Sequence, residues 1–286
     1  MNYFRNFIKK NIAALILLLF AFLIIIPLWM VISGSFIGKN EITRNLAPVL
    51  SDGKGKAFWP ILPQYPTFRP YIELLLDSPA FFAMFWNSCK QVIPILIGQL
   101  LIGVPAAWAF ARFEFPLKKI IFTVYITLMI MPFQVTMVSS YLVLDHLKLL
   151  DTNFAIILPA IFATFPVFIM MKFFSSIPAD LFEAAEIDGA NEWNIFIRIG
   201  IPLGNSGIMS ALVLGFLEQW NAIEPPLTFL DDKSNWPLSL YLPNIATDNV
   251  GVSLAASVIM MLPALLIFLF GQSYLEDGIK ASGLKE

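Results

Sequence analysis

Six stretches of this chain run through 11–35, 91–111, 120–144, 152–171, 199–217 and 249–275 without a single Asp, Glu, Lys or Arg. Crossing the roughly 30 Å of hydrocarbon in a bilayer takes about 20 residues of helix, and each of these stretches reaches or approaches that length. In lipid every backbone amide and carbonyl must find its partner inside the chain, and none of the six shows the alternation of a barrel strand. The expected fold class is therefore an all-α integral membrane protein with six transmembrane helices. Composition agrees: 58% of the 286 residues are apolar and only 13% charged, well outside the balance of soluble domains.

Arg5, Lys9 and Lys10 precede the first run as they would in a signal peptide. The apolar core is too long for one, however, and no small-x-small cleavage site ends it, so the run is expected to stay as a helix. Cys89 is the only cysteine, which excludes an internal disulfide and a cysteine-cluster metal site. The only histidine, His146, lies beside Asp145 with no second imidazole near it in sequence, and reads as a solvated residue. A net charge of -2 gives no footprint for nucleic acid.

Lysine and arginine near span ends set orientation. One side collects Arg5, Lys9, Lys10, Arg112, Lys118, Lys119, Lys172, Arg198, Lys280 and Lys285, whereas the short loops opposite carry only Lys148 and Lys233. Both termini are thus expected in the cytoplasm. The chain then reads as one transmembrane domain over 1–286, with an extracytoplasmic loop at 36–88, a cytoplasmic hairpin at 176–198, an extracytoplasmic loop at 224–248 and a cytoplasmic tail at 276–286. The segment 38–87 is rich in Gly and Pro, as in Ser51-Asp52-Gly53-Lys54-Gly55, and reads as loop ending in a short interfacial helix begun by Ser78-Pro79. In the second loop Pro225-Pro226 is expected to end the preceding helix, and Glu224, Asp231 and Asp232 make the segment acidic.

The polar hairpin carries ordered helix signals. Pro178 suits a first turn, Asp180 complements the helix dipole, and Leu181, Ala184, Ala185 and Asp188 share a face at i, i+3, i+4 and i+7, with Glu183 and Glu186 pointing elsewhere. Gly189 is placed to stop the helix in a left-handed conformation, and Asn191 to cap a second short helix that returns Trp193, Phe196 and Ile197 to the membrane. Two adjacent alanines make a low surface for a partner. These features alone leave two readings open, a docking element and an interfacial connector between spans.

Glu183-Ala184-Ala185, then Asp188-Gly189-Ala190, then Ile201-Pro202-Leu203 resemble the EAA motif of ATP-binding-cassette (ABC) importer permeases. Pro66-Thr67-Phe68, Met131-Pro132-Phe133-Gln134-Val135, Leu149-Leu150-Asp151-Thr152, Ser176-Ile177-Pro178 and Trp220-Asn221 extend the resemblance along most of the chain, toward the maltose-type carbohydrate permeases. The resemblance implies a type I importer permease fold in which Glu183, Ala184, Ala185, Asp188 and Gly189 couple to a separate ATPase. It also implies a second permease subunit in a heterodimer, two ATPase subunits, an extracytoplasmic solute-binding protein meeting the 224–248 loop, and a tail, 278–285, touching the ATPase. The tail also reads as an ordinary frayed terminus.

Asn87, Gln134, Gln219, Trp220 and Asn221, with Gln99, are the groups in or beside the spans best able to hydrogen-bond or stack on a sugar. Polar groups in spans more often join helices, and Trp220 also fits an interfacial aromatic belt. No nucleotide-binding G-x-x-x-x-G-K-S/T loop and no convergent nucleophile, acid and base are present. The chain is accordingly expected to be a transporter subunit without catalysis or cofactor of its own, ATP and Mg being used by the ATPase. The alternatives are a permease for another kind of solute and an ion-coupled transporter; the second is mildly disfavoured by the absence of ionisable residues from the six runs.

Overall fold

The computed structural model describes residues 2–50, 56, 58–242 and 249–283, with side chains described for 14–45, 56, 58–242 and 249–276. The helices in chain order are α1 (Asn2–Gly34), α2 (Lys39–Leu50), α3 (Arg69–Leu76), α4 (Pro79–Arg112), α5 (Lys118–Ile130), α6 (Phe133–His146), α7 (Asn153–Phe174), α8 (Ala179–Ile187), α9 (Glu192–Leu203), α10 (Asn205–Trp220), α11 (Glu224–Phe229) and α12 (Val250–Gly283). Among the described residues four helical segments are long and apolar enough to cross a membrane: Ala14–Gly34, Pro79–Arg112, Asn153–Phe174 and Val250–Glu276. Two bent pairs, α5 with α6 at 106° and α9 with α10 at 67°, bring the number to six if each is one span.

Both bends have a local cause. Pro132 has no amide to continue α5, and Met131 and Pro132 take extended ψ values of 125° and 150°, so the expected straight run over 120–144 is instead broken in its middle. In the second pair Gly204 separates the helices. Two other prolines are accommodated without a break. A π-turn at Gln99–Gly103 precedes Pro105 and another at Phe196–Gly200 precedes Pro202, each widening the helix where the proline ring would meet the carbonyl four residues back.

The chain forms two compact units, one of residues 1–82 and 242–261, the other of residues 83–241 and 262–286. In the first, the segment expected as loop contains α2 and α3 and is pinned by side chains. The Ser35 and Tyr71 hydroxyls share a 2.7 Å hydrogen bond, Phe36 packs edge-on to Phe68, and the buried Glu41 carboxylate accepts from the amides of Gln64 and Tyr65. Glycine and proline content concealed a polar, amphipathic helix there, whose Ile42 is buried. Ser51 to Gly55 lie outside the described residues. Among the described residues the apolar side chains from Leu15 to Ile25 are left exposed, Leu15 and Leu18 each 71%, an arrangement stable only against lipid or another chain.

In the second unit the hub is Thr164–Phe174, the latter half of α7, against which α10, Val104–Arg112 of α4 and α5 all pack. Its core contains Trp108, Met170, Phe174, Phe182, Ile195 and Phe196. At the mid-helix break of α7, Gln99 donates to the Ala160 carbonyl at 2.9 Å, which makes that buried amide a joint between helices. Pro79 begins one continuous helix through Arg112, so the short helix expected before the second span is its first turns.

Candidate functional site: a hairpin clamped to the bundle

The 176–198 hairpin is built as two helices around a left-handed bend. Pro178 is the N-cap residue of α8, one position before the first turn expected for it, and Asp180 sits in that turn. At the other end Gly189 has φ +82°, its amide donates to the Glu186 carbonyl at 3.0 Å, and the Ala190 amide donates to Ala185 at 2.9 Å. This paired closure satisfies carbonyls that the helix end would leave orphaned. Asn191 then caps α9, its Oδ1 accepting from the Asn194 amide at 2.8 Å.

Phe182 fixes the hairpin to the bundle. Its ring is buried and stands edge-on to Trp108 at 5.4 Å, while Trp108 meets Phe174 at 5.4 Å and Phe196 at 5.5 Å. Gly200 makes room for this tryptophan, since a Cβ there would lie 2.6 Å from the indole ring. One turn further along α4, the Arg112 guanidinium lies over Phe182 at 5.1 Å and pairs with both Glu186 and Glu192, the second at 3.3 Å. The sequence offers Arg112 only as an orientation charge and gives no sign of Trp108 or Phe182, because nothing in its spacing says that the chain returns from position 182 to position 108.

The two alanines of the expected low surface part company. Ala185 is half-buried against the Trp108 cluster, whereas Glu183, Ala184 and Asp188 are exposed together with Leu181 and with Ile187, which is 86% exposed. The outward face of α8 is thus Leu181, Ala184, Ile187 and Asp188; Ala185 belongs to the inner side with Phe182, at i and i+3.

In the 224–248 segment Pro225 and Pro226 occupy the first turn of α11 and so begin a helix instead of ending one; α10 already stops at Trp220. The following residues form short 3₁₀ turns at Lys233–Asn235 and Leu238–Leu240, with Trp236, Leu238 and Leu240 buried. Residues 243–248 lie outside the described residues. Asp151, itself at φ +59°, anchors the segment: its Oδ1 accepts from the amides of Asp231 (3.1 Å) and Asp232 (2.8 Å), and its carbonyl accepts from Asn235. The Ser234 hydroxyl and amide donate to Asp232 and hold its carboxyl below the ordinary carboxylate range.

Of the residues expected to meet a sugar, Asn87 is buried and its amide donates to the carbonyls of Ser234 and Trp236 at 2.6 and 3.2 Å. Trp220 is buried as well, stacked on Phe216 at 5.4 Å and edge-on to Phe85. Gln134 is exposed and donates to Glu224 at 2.5 Å, Asn221 is exposed with its amide on the Leu217 carbonyl, and Gln219 is half-buried. Glu218 sits in the last turn of α10, so the helix extends past the charge-free run expected there. Beside the α5–α6 break lies an open groove of about 520 Å³ whose lining includes Thr136, Ser139 and Ser140.

Comparison with known proteins matches residues 99–281 to the family described as binding-protein-dependent transport system inner membrane component. The chain is 28% identical over 268 residues, 93% of its length and 92% of the relative's, to the arabinooligosaccharides transport system permease protein AraQ of Halalkalibacterium halodurans. It is 30% identical over 260 residues, 88% of its length and 82% of the relative's, to the diacetylchitobiose uptake system permease protein NgcG of Streptomyces coelicolor. Its fold is shared, at a TM-score of 0.78 and 23% identity over 93% of this chain and 96% of the other, with a chain of a bacterial ABC transporter involved in the import of the acidic polysaccharide alginate.

Proposed function

Because the chain belongs to the family of binding-protein-dependent transport system inner membrane components, we propose that it is one half of the pathway of an ATP-driven carbohydrate importer, with an oligosaccharide as its cargo. The permease relatives named for arabinooligosaccharides and diacetylchitobiose, aligned over nearly the whole chain, support that substrate class. In this reading α1, α4, the α5–α6 pair, α7, the α9–α10 pair and α12 are six spans with both termini in the cytoplasm. The α8–α9 hairpin then faces a separate ATPase, and the 224–248 loop faces a solute-binding protein outside. A different permease completes the pathway, two ATPase subunits hydrolyse ATP with Mg, and this chain performs no chemistry on either nucleotide or sugar.

The observation that carries the coupling role is the exposed apolar face of α8 on a fixed base. Ile187, Leu181 and Ala184 project away from a hairpin whose inner side is anchored by Phe182. An apolar side chain as exposed as Ile187, on an ordered helix, is what a partner's cleft buries. Glu183, Asp188 and the bend at Gly189 complete the docking surface, and Ala185 contributes from beneath by keeping α8 close to the bundle. Binding-protein closure and ATP-driven dimerisation of the ATPases would then switch the bundle between outward-open and inward-open arrangements as a rigid-body change. Along the pathway, Gln134, Gln219 and Asn221, together with Thr136, Ser139 and Ser140 in the groove, supply hydrogen-bonding groups for sugar hydroxyls. Asn87 and Trp220 are buried, and hold the 234–236 turn and the end of α10 in place.

The ATPase contact is tested with the co-expressed complex. Ile187→Asp is expected to lower ATPase retained on the purified permease pair by about tenfold, the factor corresponding to roughly 1.4 kcal/mol of lost binding. Unchanged retention with this variant and with Ala184→Arg would overturn the assignment of this face.

A further inference from the structure

Arg112 closes the hairpin from outside it. Its two carboxylate partners come from opposite sides of the Gly189 bend, Glu186 in the last turn of α8 and Glu192 in the first turn of α9, while Arg112 itself ends α4. We propose that Arg112 is a positioning residue for energy coupling: a two-armed latch that locks α8 and α9 into one lever and carries its motion across to α4. Along the chain this helix is separated from the hairpin by α5, α6 and α7.

Three observations converge on the latch. The hairpin continues in the chain into α7 on one side and, through α9, into α10 on the other, whereas it meets α4 directly through side chains. The side chains on that route are Trp108 and Arg112, one turn apart on α4, the first enclosed by Phe174, Phe182 and Phe196, the second lying over Phe182. Finally, Arg112 is held more tightly than a surface cation, with 22% of its side chain exposed and its Nε buried without a partner among the described residues. The guanidinium is suited to this place because its planar fork reaches two carboxylates while its face lies on an aromatic ring; a lysine ammonium offers a single point charge. Without the latch, α8, α9 and α4 would be tied only through the aromatic contacts of Phe182 and Phe196 with Trp108, and the bend at Gly189 would have no charged brace across it.

The inference rests on the reading of the hairpin as an ATPase contact, and the test separates the two. The full complex with its ATPases and binding protein is reconstituted in liposomes, and both ATP hydrolysis and uptake of the cognate oligosaccharide are measured. Arg112→Gln is expected to leave the ATPase bound and hydrolysing, while sugar taken up per ATP falls by about tenfold. Glu192→Gln alters an exposed carboxylate, removes one arm only and is expected to give an intermediate ratio. The exchanged pair Arg112→Glu with Glu186→Arg is expected to recover part of what Arg112→Glu alone loses, a rescue that a merely disrupted core would not show. If the Arg112→Gln complex assembles and keeps the wild-type ratio, or if the exchange rescues nothing, the latch is wrong. Loss of the ATPase from the wild-type complex would instead strike the coupling-face reading.

Discussion

Gly189 is where one residue type decides the hairpin's shape. Its φ of +82° lies in the left-handed region, and among the described residues no atom outside its immediate chain neighbours comes within 4 Å of where a Cβ would stand, so the constraint is conformational and not one of space. A substitution there carries a cost of about 1–2 kcal/mol for an ordinary side chain and more for a β-branched one. Gly189→Val is accordingly expected to leave the protein inserted yet lower coupled uptake severely, whereas Gly189→Asn, which tolerates this conformation better, retains most of it; equal uptake by the two variants in the assembled complex would remove the bend from the mechanism. Asp151 is the corresponding residue for the 224–248 loop. Its carboxylate receives two backbone amides of the 224–248 loop, and charge-assisted bonds of this kind contribute about 1.5–3 kcal/mol each when partly shielded, less at an exposed site such as this. Asp151→Ala should loosen that loop and weaken stimulation of the ATPase by the binding protein, leaving unstimulated hydrolysis unchanged; full stimulation by the variant would contradict a docking role for the ordered part of the loop.

Among the elements, legibility followed locality. The stop at Gly189, the cap at Asn191 and the acidic first turn at Asp180 are written in three or four consecutive residues, and each stands where local chemistry puts it. Features made by distant residues were not legible. The side of α8 that turns inward depends on Trp108, more than 70 positions away, so helical spacing alone puts Ala185 on the outer face with Ala184 although it lies against the core. Asn87 is a candidate for sugar binding because its amide can hydrogen-bond, but its partners at 234 and 236 are fixed only when the chain returns. The α5–α6 break was present in the sequence as Met131-Pro132, yet a charge count over 120–144 cannot distinguish a proline that a neighbouring helix accommodates from one that bends the path by 106°. The π-turns before Pro105 and Pro202 show the accommodating case in the same molecule.

At the scale of the whole molecule, the charge-free runs identified a membrane protein and the hairpin signals located its most informative surface; the packing of the second unit explains why that surface is rigid. Trp108 and Arg112 on α4, Phe174 on α7, Phe182 on α8 and Phe196 on α9 draw four helices onto one cluster at the base of the hairpin. A push on α8 therefore acts on the bundle and not on a loose loop. The central claim is that this chain transports only when an ATPase drives it, and it is tested most directly in proteoliposomes holding the chain with its partner permease, ATPases and binding protein. The account predicts uptake of the cognate oligosaccharide that requires internal ATP and the binding protein and is indifferent to proton or sodium gradients. Uptake by the permease chains alone, driven by an ion gradient, would contradict it.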